Sequence, residues 1–392
     1  MVFPQRRAAI VGVYSKAAKR LPDRTSFSLQ LEAIKGALDD AGLTLADVDG
    51  LAPLLKSAHL GGTDSPHQFW AEQLGERPLN LQLMGPGTGA VARAAAAIAA
   101  GMAECVVCFF GKTGRRTAPQ ASDGSVMRAP RVPEWSFAPH GAYMSAWYAM
   151  WAQRYMHEFG ATSADLAEVA VFERYHATLN PDSVMGEKGE ITVDDVVSSR
   201  LICEPLHLLD CSIDNDGCYA VVVASAERAA DCRKPPVWIM GGAESYYTDF
   251  YTTVNDPWFP EEGKAVRRAA DRAFGLAGIT RDDIDVAGLY DCFTITLLRD
   301  LEELGFCKIG EGAEYVKEGH CRLGGSMPTN TDGGLLSSSH PGDASGLHTI
   351  EVTRQLRGEC GARQVPDARL GISLQQGYSV HGMGSVLVLA TD

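Results

Sequence analysis

The side chains with the most reactive chemistry in this 392-residue chain are its ten cysteines. Cys105 and Cys108 form a Cys-x-x-Cys pair, but no second pair follows at zinc spacing. Both lie in the apolar run ECVVCFF, where the period-2 geometry of a strand turns them to opposite faces. We therefore predict buried, reduced thiols and no metal site. The first 104 residues contain no cysteine at all.

Two glycine-rich segments are the next candidates for a functional site. GPGTGAVARAAAAIAAG (85–101) is a Gly-rich turn that opens an Ala-rich helix, and the apolar run 104–111 after it predicts a buried strand. NTDGGLLSSSHPGDASG (330–346) is a Gly-rich loop that contains His340, and we expect a helix over 347–358 and strands over 369–376 and 385–392. The two segments predict the same loop, helix and strand order in two parts of the chain.

An internal repeat supports two similar α/β units. ALDDAGLTLADVD (37–49) and AFGLAGITRDDID (273–285) share six of thirteen residues. In each copy an amphipathic helix ends at Gly, and a short segment with matched Thr and Asp leads to an apolar strand. Strand candidates at 8–14 and 237–243 precede the copies. We therefore predict duplicated halves at 1–235 and 236–392, although two Ala-rich helices could match by coincidence.

Composition excludes several classes of function. The chain is 45% hydrophobic and 21% charged, as in globular proteins, and its length suggests two domains or a duplicated unit. The net charge of −14 repels nucleic acid and anionic lipid. An apolar run of roughly 18 residues, which a membrane span needs, is missing, and the N-terminus does not read as a signal peptide. The expected location is cytoplasmic.

An inserted region interrupts the first unit at 112–205. It contains helical fragments with an aromatic cluster, and such long excursions are often functional. We expect it either to cover a site or to form a dimer interface. The cluster consists of Tyr143, Trp147, Tyr148, Trp151 and Tyr155.

The C-terminal segments resemble the thiolase superfamily. NTDGGLLSSSHPGDASG is similar to its N-x-x-GG loop followed by G-H-P-x-G-x-(S/T)-G, and LRGE…RQVP most resembles the sterol-carrier-protein-x branch. YDCF (290–293) is similar to the segment with H-D-C-F in that branch and N-E-A-F in other thiolases. The resemblance implies an α/β thiolase fold, a duplicated five-layer αβαβα arrangement with an inserted loop region, and a homodimer.

The family's nucleophile is missing from this chain. Its Cys-x-x-Gly falls on Met84-Gly85-Pro86-Gly87, and a thioether cannot form an acyl-enzyme. Since no cysteine precedes Cys105, a small shift of the alignment does not restore one. The family's C-terminal cysteine is also absent, and LQQGYSVHGMGS stands in its place. His381 in this loop is either a second acid/base or an ordinary loop residue.

Two other positions retain groups that can transfer protons. His340 matches the histidine of the family's G-H-P, although Ser339 replaces the Gly before it. Tyr290 stands where the family has His or Asn, and a phenol there can donate to an oxyanion or take a proton from a β-hydroxyl. We predict catalytic roles for both, against the alternatives of a satisfied polar histidine and a packed strand-end tyrosine. The resemblance further implies contacts to coenzyme A, and we assign them to Gly87, Asn330, Gly333, Gly334 and Ser345.

Retro-aldol cleavage of a bulky β-hydroxyacyl-CoA needs no acyl-cysteine, so it survives the missing nucleophile. The resemblance extends to cysteine-lacking, thiolase-like aldolases of bacterial steroid side-chain degradation. Those aldolases tend to carry a tyrosine before His-Gly where this chain has Ser338-Ser339-His340-Pro341. The alternatives are an atypical thiolase or acyltransferase on a β-ketoacyl-CoA, for which an aromatic acyl group is one option, and a non-catalytic acyl-CoA-binding subunit.

The same resemblance sets the expected ligands and partners. Coenzyme A is expected as part of the substrate, with no tightly bound cofactor. The expected partners are a second copy of the chain and a small protein built from a zinc ribbon and an OB-fold. Because the net charge is negative, a few basic residues must hold the phosphates of CoA. The candidates are Arg115, Arg116, Arg128, Arg131 and Lys188.

Overall fold

The computed structural model describes most of the chain. It covers residues 6–53, 66–75, 78–83, 85, 87–114, 144–246, 265–377 and 382–391. The strands are β1 Ala8–Ala18, β2 Gly50–Ala52, β3 Leu81–Gln82, β4 Cys105–Lys112, β5 Leu201–Cys203, β6 Leu206–His207, β7 Asp216–Ser225, β8 Val237–Tyr246, β9 Val286–Gly288, β10 Leu370–Gly377 and β11 Met383–Ala390. The predicted strands are found within a few residues of their expected bounds.

The helices lie between these strands in the chain, singly or several in a row. They are α1 Ser26–Ala41, α2 Pro66–Gln73, α3 Thr88–Ala99, α4 Met144–Phe159, α5 Ser163–Thr178, α6 Val193–Val197, α7 Ala226–Ala229, α8 Ala265–Ala277, α9 Thr294–Leu304, α10 Gly312–Lys317 and α11 Ser345–Leu356. Among the described helices, none has the length and apolar character needed to cross a bilayer.

The main sheet has two halves with the same pattern of strand pairing, counted from each edge toward the centre. Its strand order is β3-β2-β4-β7-β1-β8-β11-β10-β9. β2 runs parallel to β4, and β4, β7 and β1 pair antiparallel; β9, β10, β11 and β8 repeat this pattern. A parallel bridge between Ala287 and Thr329 stands where β3 stands in the first half. Because β1 and β8 pair over only two residues, the sheet behaves as two sub-sheets joined at one point.

Five layers follow from how the helices pack on the two sub-sheets. α1 lies on β1, β4 and β7, and α8 lies on β8 and β11. α3 and α11 contact each other and strands of both halves, which places them between the sub-sheets. Small buried side chains such as Ala90, Ala94 and Ala95 let α3 fit there. The predicted duplicated αβαβα fold is confirmed.

Equivalent residues of the repeat have the same structural roles in both halves. Gly42 and Gly278 end α1 and α8 with left-handed φ values of 75° and 73°. The Asp49 carboxylate accepts the backbone N–H groups that open β4 at 2.8–3.1 Å. Asp285 accepts those that open β10 at 2.8 and 2.9 Å. The shared Asp and Gly of the repeat are therefore structural, and the limits of the halves at 235 and 236 stay predictions.

The described part of the insert is packed inside this chain. The α4 side chains Trp147, Tyr148, Trp151 and Tyr155 are buried. The ring of Tyr148 stacks on Phe293 of the YDCF segment, with centroids 4.5 Å apart. The insert thus packs against the YDCF segment and supports it. Tyr143 lies outside the described residues.

Candidate active site

The N-termini of α3 and α11 meet in the central layer. Gly87 caps α3 with φ 91°, and a Cβ there would collide with Ser345 Oγ in the first turn of α11. The Thr88 hydroxyl donates to the Ser345 carbonyl oxygen at 3.3 Å. Two helix N-termini at one place offer backbone N–H groups and a positive partial charge to an anion. The structure therefore brings Gly87 and Ser345 together.

An amide oxygen lies at the start of α3, the helix end where thiolases place their nucleophile. Gln375 Oε1 accepts the Gly89 N–H at 3.0 Å and so satisfies one donor of the first turn. Met84 and His381 lie outside the described residues, so their roles stay predictions.

Most of the thiols are held in their neutral form. All ten cysteines are free, and most are buried. Burial raises the pKa of the thiols of Cys105, Cys108, Cys211, Cys218, Cys292 and Cys321 to about 12. A thiol with such a pKa is a poor nucleophile because the thiolate is the attacking species. Cys292 in YDCF, beside the site, is therefore a packing residue.

The strand end that carries Tyr290 is clamped by Asn330. Asn330 Oδ1 accepts the Leu289 N–H at 2.8 Å, and Nδ2 donates to the Leu289 carbonyl oxygen at 2.9 Å. Nδ2 also donates to Glu173 Oε1 at 2.9 Å. The left-handed backbone at Asn330, φ 48°, directs the amide into this position. Asn330, which we predicted to contact CoA, thus supports the residue before Tyr290.

The turn after Asn330 depends on two glycines. Gly333 and Gly334 have φ values of 103° and 60°. A Cβ at Gly333 would collide with α5, and one at Gly334 would collide with the Asp291 carboxylate. The Leu335 and Leu336 N–H groups donate to Asp291 Oδ2 at 2.6 and 3.1 Å. The close approach requires glycine and fixes the turn Gly334–Ser338 against the YDCF segment.

His340 is fixed through its backbone. Its N–H donates to Asn215 Oδ1 at 2.6 Å, and Asn215 Nδ2 donates to Ser339 Oγ at 3.1 Å. His340 as a whole is 9% exposed. Asn215 lies just before β7, so the first half of the chain positions the histidine of the second half.

The ring of Tyr290 lies near two histidine rings. Its ring centroid is 6.5 Å from that of His340 and 6.3 Å from that of His348, with an interplanar angle of 72° in both pairs. Tyr290 is half-buried, whereas His348 of α11 is buried. A phenol and an imidazole at one point can move a proton to or from a bound oxygen. The predicted pair Tyr290 and His340 is brought together.

Tyr219 on β7 is a second tyrosine near this point, and our sequence analysis missed it. It is fully buried, and its ring packs where a Cβ on Gly346 would collide. Burial, and then the Asp343 carboxylate, raise the pKa of the Tyr219 phenol well above its ordinary value. We therefore expect the Tyr219 phenol to stay neutral near physiological pH. In the sequence it is one residue of an apolar strand, without a distinguishing pattern.

Two pseudo-symmetric halves around α3 and α11, with a site where these helices begin, define the thiolase fold. A family profile described as "Thiolase C-terminal domain-like" matches residues 259–391. A steroid side-chain-cleaving aldolase from Thermomonospora curvata is 36% identical over 90% of each chain. A 17-hydroxy-3-oxo-4-pregnene-20-carboxyl-CoA lyase from Mycobacterium tuberculosis is also 36% identical, over 90% of this chain and 92% of the relative.

The solved structure of the Ltp2-ChsH2(DUF35) aldolase has the same fold. It superposes with a TM-score of 0.84 at 34% identity and covers 100% of this chain and 99% of that chain. This chain therefore belongs to the thiolase superfamily, among its thiolase-like aldolases.

Proposed function

We propose that this protein is a retro-aldolase, a lyase that cleaves the carbon–carbon bond of a bulky β-hydroxyacyl-CoA. The observation that carries this proposal is the pairing of Tyr290 with His340 at a helix junction without an activated thiol. The names of its two aldolase relatives favour a steroid side chain as the acyl group. Coenzyme A is then part of the substrate.

The reaction divides into a proton transfer and the stabilisation of one anion. Tyr290, as its phenolate, removes the proton of the β-hydroxyl and later returns a proton to the α carbon, while the electrons of the β-oxygen form the carbonyl of the released ketone. The bond between the α and β carbons breaks, and its electrons pass into the thioester as an enolate. His340 and the N–H groups at the start of α3 and α11 stabilise the enolate oxygen. Protonation at the α carbon then gives the shortened acyl-CoA.

This division departs from the related aldolases at one residue. They tend to carry a tyrosine before His-Gly in the loop where this chain has Ser338-Ser339-His340-Pro341. This chain has serine before the histidine, so we assign proton transfer or hydrogen-bond donation in this loop to the imidazole of His340, which can do either near neutral pH.

The assembly we propose follows the same relatives. We propose a homodimer and a hetero-complex with a small protein built from a zinc ribbon and an OB-fold. The neighbouring aldolase, whose name joins Ltp2 to ChsH2(DUF35), supports the second of these. Lys188 is exposed on the turn Gly186–Lys188, near Ser337 and Ser338. Of the five basic candidates it is the one within the described residues, and we propose that it binds a phosphate of CoA.

The test compares two substrates. Purified protein, alone and with its proposed partner, is incubated with a steroid β-hydroxyacyl-CoA or with a β-ketoacyl-CoA plus free CoA. Release of a ketone and a shortened acyl-CoA from the first substrate supports the aldolase. Turnover of the second substrate alone would replace it with an acyltransferase, and turnover of neither would leave a binding subunit.

A further inference from the structure

Two carboxyl groups are buried side by side beneath Tyr290. Glu173 comes from α5 in the insert, and Asp291 follows Tyr290 in the chain; both are fully buried. A Cβ on Gly334 would collide with Asp291 Oδ2 and lie 2.9 Å from Glu173 Oε2. The two carboxyl groups therefore converge on one glycine.

The hydrogen bonds around this pair leave one oxygen of Glu173 without a donor. Asp291 Oδ2 accepts two backbone N–H groups, and Glu173 Oε1 accepts the amide of Asn330. Within the described part of the chain, no donor reaches Glu173 Oε2. A buried carboxylate oxygen without a donor, next to a second carboxylate, is strongly unfavourable. A proton on Glu173 that is donated to Asp291 removes both costs.

The other charged groups nearby do not neutralise Glu173. Asp332, on the loop after Asn330, carries the same sign and acts on Glu173 in the same direction as Asp291. His348 of α11 faces the Asp291 carboxylate instead, with Nε2 3.3 Å from Oδ1. Arg174, the next residue of α5, donates to Ser337 Oγ at 2.9 Å.

We infer that Glu173 is a positioning residue that works as a neutral carboxylic acid. Its carboxyl group joins the strand end of Tyr290, through Asn330 and Asp291, to the turn that precedes His340. The role rests on the proposed function, because Tyr290 and His340 are the groups it aligns. Burial, and then the Asp291 charge, raise the pKa of Glu173 well above its ordinary value, which agrees with this geometry.

The chemistry of glutamine makes the inference testable. In Glu173→Gln, the side-chain oxygen can still accept from Asn330, and the side-chain N–H can donate to Asp291 as the acid does. Glu173→Ala removes both bonds and leaves Asp291 and Asn330 without their partner. Glu168→Gln is the matched control, because Glu168 lies on the same helix and pairs with Arg322 at 3.2 Å near the surface.

Steady-state kinetics then separate alignment from folding. The Gln variant and the control are expected to keep kcat within about threefold of the wild-type value, since positioning is intact. The Ala variant is expected to lose roughly 10–100-fold in kcat with a smaller change in KM. A Gln variant that folds but loses activity as the Ala variant does would overturn the inference. If the Ala variant does not fold, the kcat of Glu173→Gln still tests the inference.

Infrared difference spectroscopy tests the neutral acid without any substrate. Wild-type protein at neutral pH should show the carbonyl stretch of a protonated carboxylic acid, and Glu173→Gln should lose it while Glu168→Gln retains it. If the wild type shows no band that depends on Glu173, the inference is wrong whatever the activity. If the band is present but β-hydroxyacyl-CoA is not cleaved, the proposed function fails and the neutral acid stands.

Discussion

The ring of Tyr290 meets the ring of His340 edge to face, with centroids 6.5 Å apart. The two residues reach this point from different elements, the end of β9 and the loop before α11. We propose that both act on the same bound substrate. We therefore expect their contributions to catalysis to be coupled.

A double-mutant cycle measures this coupling. His340→Ala should lower kcat by roughly 10²–10⁴-fold, the range usual for a group that transfers a proton or stabilises the transition state. Combined with Tyr290→Phe, the loss should be smaller than the product of the two single losses, because both side chains serve one transition state. If the loss in kcat of the double variant equals the product of the two single losses, Tyr290 and His340 act independently, and the prediction is wrong.

Met84, at the family's nucleophile position, should tolerate replacement. Met84→Ala removes only the packing of a flexible side chain, so kcat should stay within about tenfold of wild type. Intact-mass spectrometry during turnover should show no acyl adduct. A stable acylated cysteine would contradict cleavage without an acyl-enzyme.

Asn215 should matter for both stability and rate. Asn215→Ala removes the acceptor of the His340 N–H, and leaving a buried donor unsatisfied costs about 1–3 kcal/mol of the free energy of unfolding. The loop that carries His340 then loses its fixed position, so kcat should also fall. Asn80→Ala, at an exposed asparagine that donates to Asp49 at 3.2 Å, should change stability by less than about 0.5 kcal/mol. If the two substitutions lower the free energy of unfolding equally, Asn215 contributes no more to stability than an exposed asparagine does, and the prediction is wrong.

The buried acid gives stability a predictable pH dependence. Since the folded-state pKa of Glu173 is raised above its ordinary 4.5, folding takes up a proton, and this stabilisation is lost as pH rises from about 4.5 toward the folded-state pKa. Glu173→Gln cannot ionise. The difference in free energy of unfolding should therefore shift in favour of the variant by about 1.4 kcal/mol per pH unit in that range. Urea unfolding of both proteins at several pH values measures it, and a pH-independent difference would argue against a raised pKa.

Much of the fold could be predicted because the repeat marks turns with a strict physical requirement. Gly42 and Gly278 adopt a left-handed backbone, and Asp49 and Asp285 bind the N–H groups of a neighbouring strand. Such positions tolerate few residue types, so they leave a readable pattern. The pairing of Tyr290 with His340 followed from the resemblance, because their motifs lie at known places in the thiolase fold.

The supporting residues could not be predicted in the same way. Glu173 and Tyr219 lie in regular secondary structure, where the sequence shows an ordinary glutamate on a helix and an ordinary tyrosine on a strand. Their roles arise from contacts across the chain, with Asp291 and Gly346, which no local spacing encodes. The insert with its aromatic cluster was expected to cover a site or to form a dimer interface, and both roles stay predictions. The described members of the cluster are buried against α9 and the YDCF segment, a packing that the sequence did not indicate.

The most direct test of the central claim is the kcat of Tyr290→Phe on a steroid β-hydroxyacyl-CoA. The substitution removes one hydroxyl and keeps the ring, so circular dichroism and the thermal midpoint should stay close to those of wild type. We predict that kcat falls by roughly two orders of magnitude or more. A folded Tyr290→Phe variant that cleaves the substrate at nearly the wild-type rate would contradict the role of Tyr290 and, with it, the proposed aldolase mechanism.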